Sequence, residues 1–192
     1  MKLFRMFVIL AVLGASSPAQ TVDYGVGIFA NEEGPILLAV DAQAAMQHPD
    51  SPYVPFILYL GAKDMESSYV VSRNDVTLVY QGKEYKMPGL EEFRKNYGGE
   101  VRDVAYYRHL SQAGLISSWV RFYKFQSGAD FFPPLRLTAS LPVDEATMSG
   151  SLGFVTRSYF KNPGFKKGDK LIIRVNAKGH PENAVAVQVE LK

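Results

Sequence analysis

Leu171-Ile172-Ile173-Arg174-Val175 puts Leu171, Ile173 and Val175 on one side of an extended chain, and the run from Ala184 to Leu191 does the same with Val185, Val187, Val189 and Leu191. Strict apolar alternation is the period-two signature of a strand with one buried face. Between the runs lies Lys178-Gly179-His180-Pro181-Glu182-Asn183, a cluster of turn formers, so the two stretches predict a terminal antiparallel hairpin.

Working back from this hairpin, similar patterning predicts strands over 36–43, 54–61, 69–72, 76–80, 84–87, 117–126, 135–141 and 153–160. Tyr80-Gln81-Gly82-Lys83-Glu84 reads as a tight hairpin turn, because Gly adopts the positive backbone angle such a turn needs. About ten short strands between Gly, Pro and Asn clusters, with no regular strand-helix alternation, exclude a doubly wound parallel sheet. The predicted class is mainly β: an antiparallel β-sandwich. The phrase from Phe165 to Val175, in which Gly168-Asp169 launches a strand, resembles turn-to-strand phrases of many immunoglobulin-like extracellular sandwiches. That resemblance implies an architecture and no particular family.

One stretch departs from the pattern. From Pro88 to Gly99, Leu90, Phe93 and Tyr97 recur at helical spacing, Glu91 and Glu92 stand near the start, and Gly98-Gly99 supplies a stop. A second helical piece is predicted from about Val101 to Leu110. Together they make a short helical insertion near residues 88–113.

The first residues have the charged, apolar and small-residue order of a secretory signal peptide: Lys2 and Arg5, then Met6 to Leu13, then Gly14-Ala15-Ser16-Ser17-Pro18-Ala19. Ser17 and Ala19 suit the pocket of a signal peptidase, so residues 1–19 are expected to be removed after Ala19. The apolar run is too short for a membrane span, which needs roughly 20 residues. The expected location is secreted or periplasmic, with residues 20–192 forming a single domain and no span remaining after cleavage. Of 21 Lys+Arg, two lie in the leader, so the exported part carries 19 basic and 19 acidic residues. Formal neutrality leaves no basic footprint for nucleic acid. There is no Cys, so disulfides cannot brace the fold. The remaining 173 residues (192 minus 19) are enough for one sizeable core, since a domain of that size buries roughly 70% of its unfolded surface. Export without Cys fits a bacterial envelope protein better than a small disulfide-braced domain.

Catalytic motifs are weak. Cys chemistry is excluded, and Ser149-Gly150-Ser151-Leu152-Gly153 lacks the leading Gly of a nucleophile elbow and reads as a loop before a strand. His48-Pro49-Asp50 and His180-Pro181-Glu182 read as polar turns that would bind a divalent ion only if the two loops met. Glu91-Glu92 and Asp144-Glu145 read as a helix start or a solvated loop rather than a glycosidase pair. Tyr24-Gly25-Val26-Gly27-Ile28 has Gly-x-Gly without the third Gly or the Lys of a phosphate cradle. No metal or cofactor is expected.

The residues that stand out are aromatic. Alternation places Trp119, Arg121, Tyr123 and Phe125 on one side of their strand, opposite Val120 and Phe122, so both faces of that strand demand cover. The helical insertion supplies it through Leu90, Phe93 and Tyr97, or the aromatics form an open platform for a protein or carbohydrate partner. Phe131 and Phe132 sit in a loop, where they are either a plug into the core or a contact site. These features predict a non-catalytic binding module that presents loops or the aromatic strand. The alternatives are a carrier of a small apolar ligand in a barrel-like cavity lined by Phe and Tyr, and a glycoside or ester hydrolase.

Overall fold

The computed structural model describes residues 20–99, 103, 129–132 and 141–192, and the backbone of 124–126. In chain order the elements are β1 (Val22–Gly25), β2 (Ile28–Asn31), β3 (Ile36–Asp41), α1 (Gln43–Gln47), β4 (Tyr53–Ala62), β5 (Ser68–Ser72), β6 (Val76–Tyr80), β7 (Lys83–Lys86), α2 (Leu90–Asn96), β8 (Lys124–Gln126), β9 (Glu145–Ser149), β10 (Leu152–Lys161), β11 (Lys170–Ala177) and β12 (His180–Glu190). They form two sheets, one ordered β1-β2-β3-β4-β10-β9-β5 with β8 beside β10, the other ordered β12-β11-β6-β7. Every pairing is antiparallel except that of β8 with β10. The mainly β expectation holds.

In the smaller sheet the alternation works as read. Leu171, Ile173 and Val175 pair with Val189, Val187 and Val185, and all six are buried. The outer face carries the ion pairs Arg174–Glu84 and Lys170–Glu190, so this face meets water. The hairpin turn is tighter than the sequence implies. β12 begins at His180, directly after Lys178-Gly179, with a register shift between Asn176 and Ala177. Pro181 is tolerated inside β12 because the strand is at the sheet edge, where a missing N–H breaks no ladder bond.

In the middle of the larger sheet the chain is buried on both faces, whereas β1, β5 and β9 keep exposed positions. All ten residues of β4 and all six of β3 are buried. Even-numbered Ile36, Leu38, Val54, Phe56 and Leu58 join Leu78, Ile173 and Val187 of the smaller sheet in a single core. β12 lies across β2 and β3, and β11 lies across β5. The odd-numbered face of β4 and β10 is covered partly by α2: Phe93 packs on Tyr53 and Tyr159 at ring-centroid distances of 5.5 and 4.4 Å. The first half of the helical insertion is therefore observed, shorter than Pro88 to Gly99, and it packs on β4 and β10. The aromatic strand it was expected to cover lies outside the described residues apart from the backbone of 124–126. The second half, Asp103 apart, lies outside the described residues, as do residues 1–19 and nearly all of the 135–141 strand.

Several readings need correction. β1, β2, β9 and α1 were not anticipated. Glu145 opens β9 rather than a helix or loop. Gly150-Ser151 is, as expected, a loop before a strand: the two-residue turn joining β9 to β10, with Ser149 facing Leu152. At Gly150 φ is +53°, and a Cβ would stand 2.8 Å from the Met65 carbonyl oxygen, so only Gly fits there.

Side chains and loops join the sheet edges. The Lys178 N–H donates to the Val70 carbonyl at 2.7 Å. Asn31 Nδ2 donates to the Ala186 carbonyl at 2.9 Å, and the Gln188 N–H donates to Thr21 Oγ1 at 2.9 Å. These bonds occupy backbone groups of edge strands that would otherwise invite pairing with another chain.

Candidate functional site

Two places in the fold hold chemistry that packing alone does not require. The first is the covered, odd-numbered face of the larger sheet. Register puts Asp41 and Arg157 in one row on either side of Ile57. Arg157 Nη1 donates to the Tyr159 hydroxyl at 2.9 Å, Tyr159 donates to Asp103 Oδ2 at 3.1 Å, and Tyr97 donates to the same oxygen at 2.8 Å. Burial, and after it the Asp103 carboxylate, push Tyr159 well above the ordinary phenol range against the opposing pull of Arg157. The phenol therefore stays protonated and donates. Burial also raises Asp41 to about 6, against the lowering effect of the Gln43 N–H that donates to its Oδ1 at 2.9 Å. Tyr59 is raised by burial and by Asp41. All six groups are 7% exposed or less. Such buried polar groups fix the geometry of a core when their hydrogen bonds are made. At this exposure they orient one another and the C-terminal end of α2, where Tyr97 sits.

The second place is the β1–β2 hairpin. Gly25 faces Ile28, so Val26-Gly27 is a two-residue turn. Both residues have positive φ, +46° and +82°, the signature of a type I′ turn, which selects Asn-Gly or Asp-Gly. Val is a poor occupant, because left-handed backbone costs a residue with a Cβ roughly 1–2 kcal/mol and a β-branched side chain is a clear outlier there. The turn is also anchored. The Ala42 N–H donates to the Gly27 carbonyl at 2.8 Å, and a Cβ on Gly27 would meet Met46 Sδ at 3.0 Å. Val26 itself is 66% exposed, and Val22 and Tyr24 of the same hairpin are exposed with it. Acidic groups flank them: Tyr24 donates to Glu32 Oε1 at 3.1 Å, and Asp23 is ion-paired with Lys192. The related turn at Gln81-Gly82 (φ +50° and +76°) carries a polar residue whose Nε2 donates to the Tyr80 hydroxyl at 2.9 Å. Val26 makes no comparable polar contact.

Compared with family models, with curated proteins and with solved structures, the chain matches none.

Of the aromatic residues singled out from sequence, Trp119, Arg121 and Tyr123 lie outside the described residues. Phe125 is placed by its backbone alone, in β8 opposite Gly153. Phe131 and Phe132 are fully buried, the position of a plug. Phe131 packs on Phe154 while its N–H donates to Thr156 Oγ1 at 2.9 Å. Phe132 packs on Phe93 and Tyr159, each at 5.0 Å, with the Arg73 guanidinium 5.6 Å over its ring. Phe154 and Tyr159 point to opposite faces of β10, so the loop fills both sides of that strand. A contact role would need these two rings exposed.

His180 Nδ1 lies 3.1 Å from Glu182 Oε1 on the surface. Among the described residues no group of three or more His, Cys, Asp or Glu is arranged to hold a metal ion, and no helix is long and apolar enough to cross a membrane. Sequence reasoning missed the hairpin tip because Gly25-Val26-Gly27 was weighed only as a phosphate loop. The available signal was Val in a Gly-flanked position where a tight turn prefers Asn or Asp.

Proposed function

We propose that the chain is an exported, non-catalytic binding module of the bacterial envelope, an immunoglobulin-like sandwich over residues 20–192 that presents a loop to a partner. Export rests on the leader pattern of residues 1–19. The observation that carries the binding role is Val26, an apolar, β-branched side chain held outward in left-handed backbone at an anchored turn. Backbone strain clusters at functional positions, and contiguous exposed apolar side chains such as Val22, Tyr24 and Val26 are what a contact surface presents. A bare Val tip at the end of a strand that also exposes Val22 and Tyr24 suits an apolar recess on a protein better than a carbohydrate, whose hydroxyls need polar partners.

The test is a photo-crosslinking amino acid placed at position 24 in cells that export the chain. The reading expects a discrete adduct from position 24 and none from position 172, on the exposed face of the smaller sheet. Equal labelling at both positions, or none at either, contradicts it. A cavity for an apolar ligand is less favoured, because the rings of Tyr53, Phe93, Tyr97, Phe132 and Tyr159 pack against one another at centroid distances of 4.4 to 5.7 Å.

A further inference from the structure

We propose that Gln20 is an N-terminal modification site, closing to pyroglutamate once the leader is cut away. The inference rests on the export reading, in which cleavage follows Ala19 and Gln20 acquires a free α-amine. The α-nitrogen attacks the side-chain carbon Cδ, a C–N bond forms, the Cδ–Nε2 bond breaks, and Nε2 leaves as ammonia carrying the proton the amine gives up. The product is a five-membered lactam. Nothing is oxidised or reduced, and no co-reactant is consumed. An α-amine has a pKa of roughly 7.7–8.0, so a useful fraction is unprotonated and nucleophilic near neutral pH.

The fold leaves this residue free to react. Gln20 is exposed, and its side chain makes no hydrogen bond or ion pair. Anchoring begins one residue later, where Thr21 Oγ1 accepts the Gln188 N–H at 2.9 Å, and continues with the Asp23–Lys192 ion pair. Ring closure therefore breaks no side-chain hydrogen bond or ion pair, and the anchoring of β1 at Thr21 and Asp23 is untouched. It removes a terminal positive charge from the strand end where Lys192 is paired with Asp23. It also leaves the exported chain without the free amine that aminopeptidases require.

The experiment is intact-mass and N-terminal peptide analysis of the full-length chain expressed with its own leader and recovered from the envelope or medium, alongside Gln20→Asn, which is too short to form the lactam. The expected result is a chain starting at residue 20 in which most molecules have lost one ammonia, while Gln20→Asn keeps a free amine. A chain starting at Gln20 with its side-chain amide and amine intact overturns the modification and leaves export standing. A blocked terminus in Gln20→Asn also overturns it, because another chemistry then does the blocking. A chain that keeps residues 1–19, or starts elsewhere, overturns the cleavage reading and the modification together.

Discussion

The Tyr80 hydroxyl donates to Asp169 Oδ2 at 2.7 Å, joining the end of β6 to the turn that launches β11. The same carboxylate oxygen accepts the Lys166 N–H at 2.7 Å, and the Tyr80 ring meets Phe165 edge-on at 5.0 Å. The Gly168-Asp169 phrase thus ties its own loop to a strand 89 positions away.

This contact has a defined pH window. Hydrogen bonds from Tyr80 and the Lys166 N–H hold Asp169 below its ordinary 3.8, so its contribution is full above that value and fades as pH falls through the lowered one. The bond to Asp169 raises Tyr80 above 10.0, so that contribution is full below 10.0 and fades as pH rises through the raised value. Tyr80→Phe keeps the ring and deletes the bond. Its thermal midpoint should lie a few degrees below that of the native chain, by a constant margin from about pH 4 to about pH 10. Thermal unfolding across pH checks this, and a margin that varies inside the window would contradict it.

Asp41 behaves in the opposite sense. Its carboxyl is raised by burial from 3.8 to about 6, so the folded state binds the proton more tightly than the unfolded one. Stability therefore falls as pH rises from 3.8 through about 6, and the penalty is constant above that. Asp41→Asn retains an oxygen for the Gln43 N–H and removes the buried charge. It should be more stable than the native chain at pH 8, by up to about 3 kcal/mol, with no gain at pH 3. Urea titrations at the two pH values measure the difference.

Phe132→Ala removes a fully buried ring that touches Phe93, Tyr159 and Arg73. Burial of this kind predicts a loss of roughly 3–5 kcal/mol. Leu141→Ala, at a position 82% exposed, should change stability by less than about 0.5 kcal/mol. Similar small effects from both would place Phe132 on the surface rather than in the core.

What the residues revealed in advance follows from how each element is buried. β6 matched its expected limits, and the terminal hairpin was legible because one face meets oil and the other meets water, which writes a clean alternation. β4 was legible as a strand, and its double burial is what erased the alternation. β1 and β2 were hidden by Gly25, Gly27 and a register shift after Asp23, and α1 is too short to develop a period. Arg157 and Tyr159 fall at alternate positions of β10, where both rows of side chains mix polar and apolar residues and neither declares itself the buried face. The packing of α2 and of Phe132 against Tyr159 shows them to be interior. Backbone sign at Val26 depends on the register of β1 with β2, which one-dimensional patterning did not supply.

The central claim is that Val26 is held at the hairpin tip for contact and not for the fold. The unfolding free energy of Val26→Asn tests it most directly, since Asn accepts the left-handed backbone that Val resists. A gain of about 1 kcal/mol is predicted. An unchanged or lower value would mean that Val26 stabilises the molecule where it stands, and the hairpin would lose its claim as a binding surface.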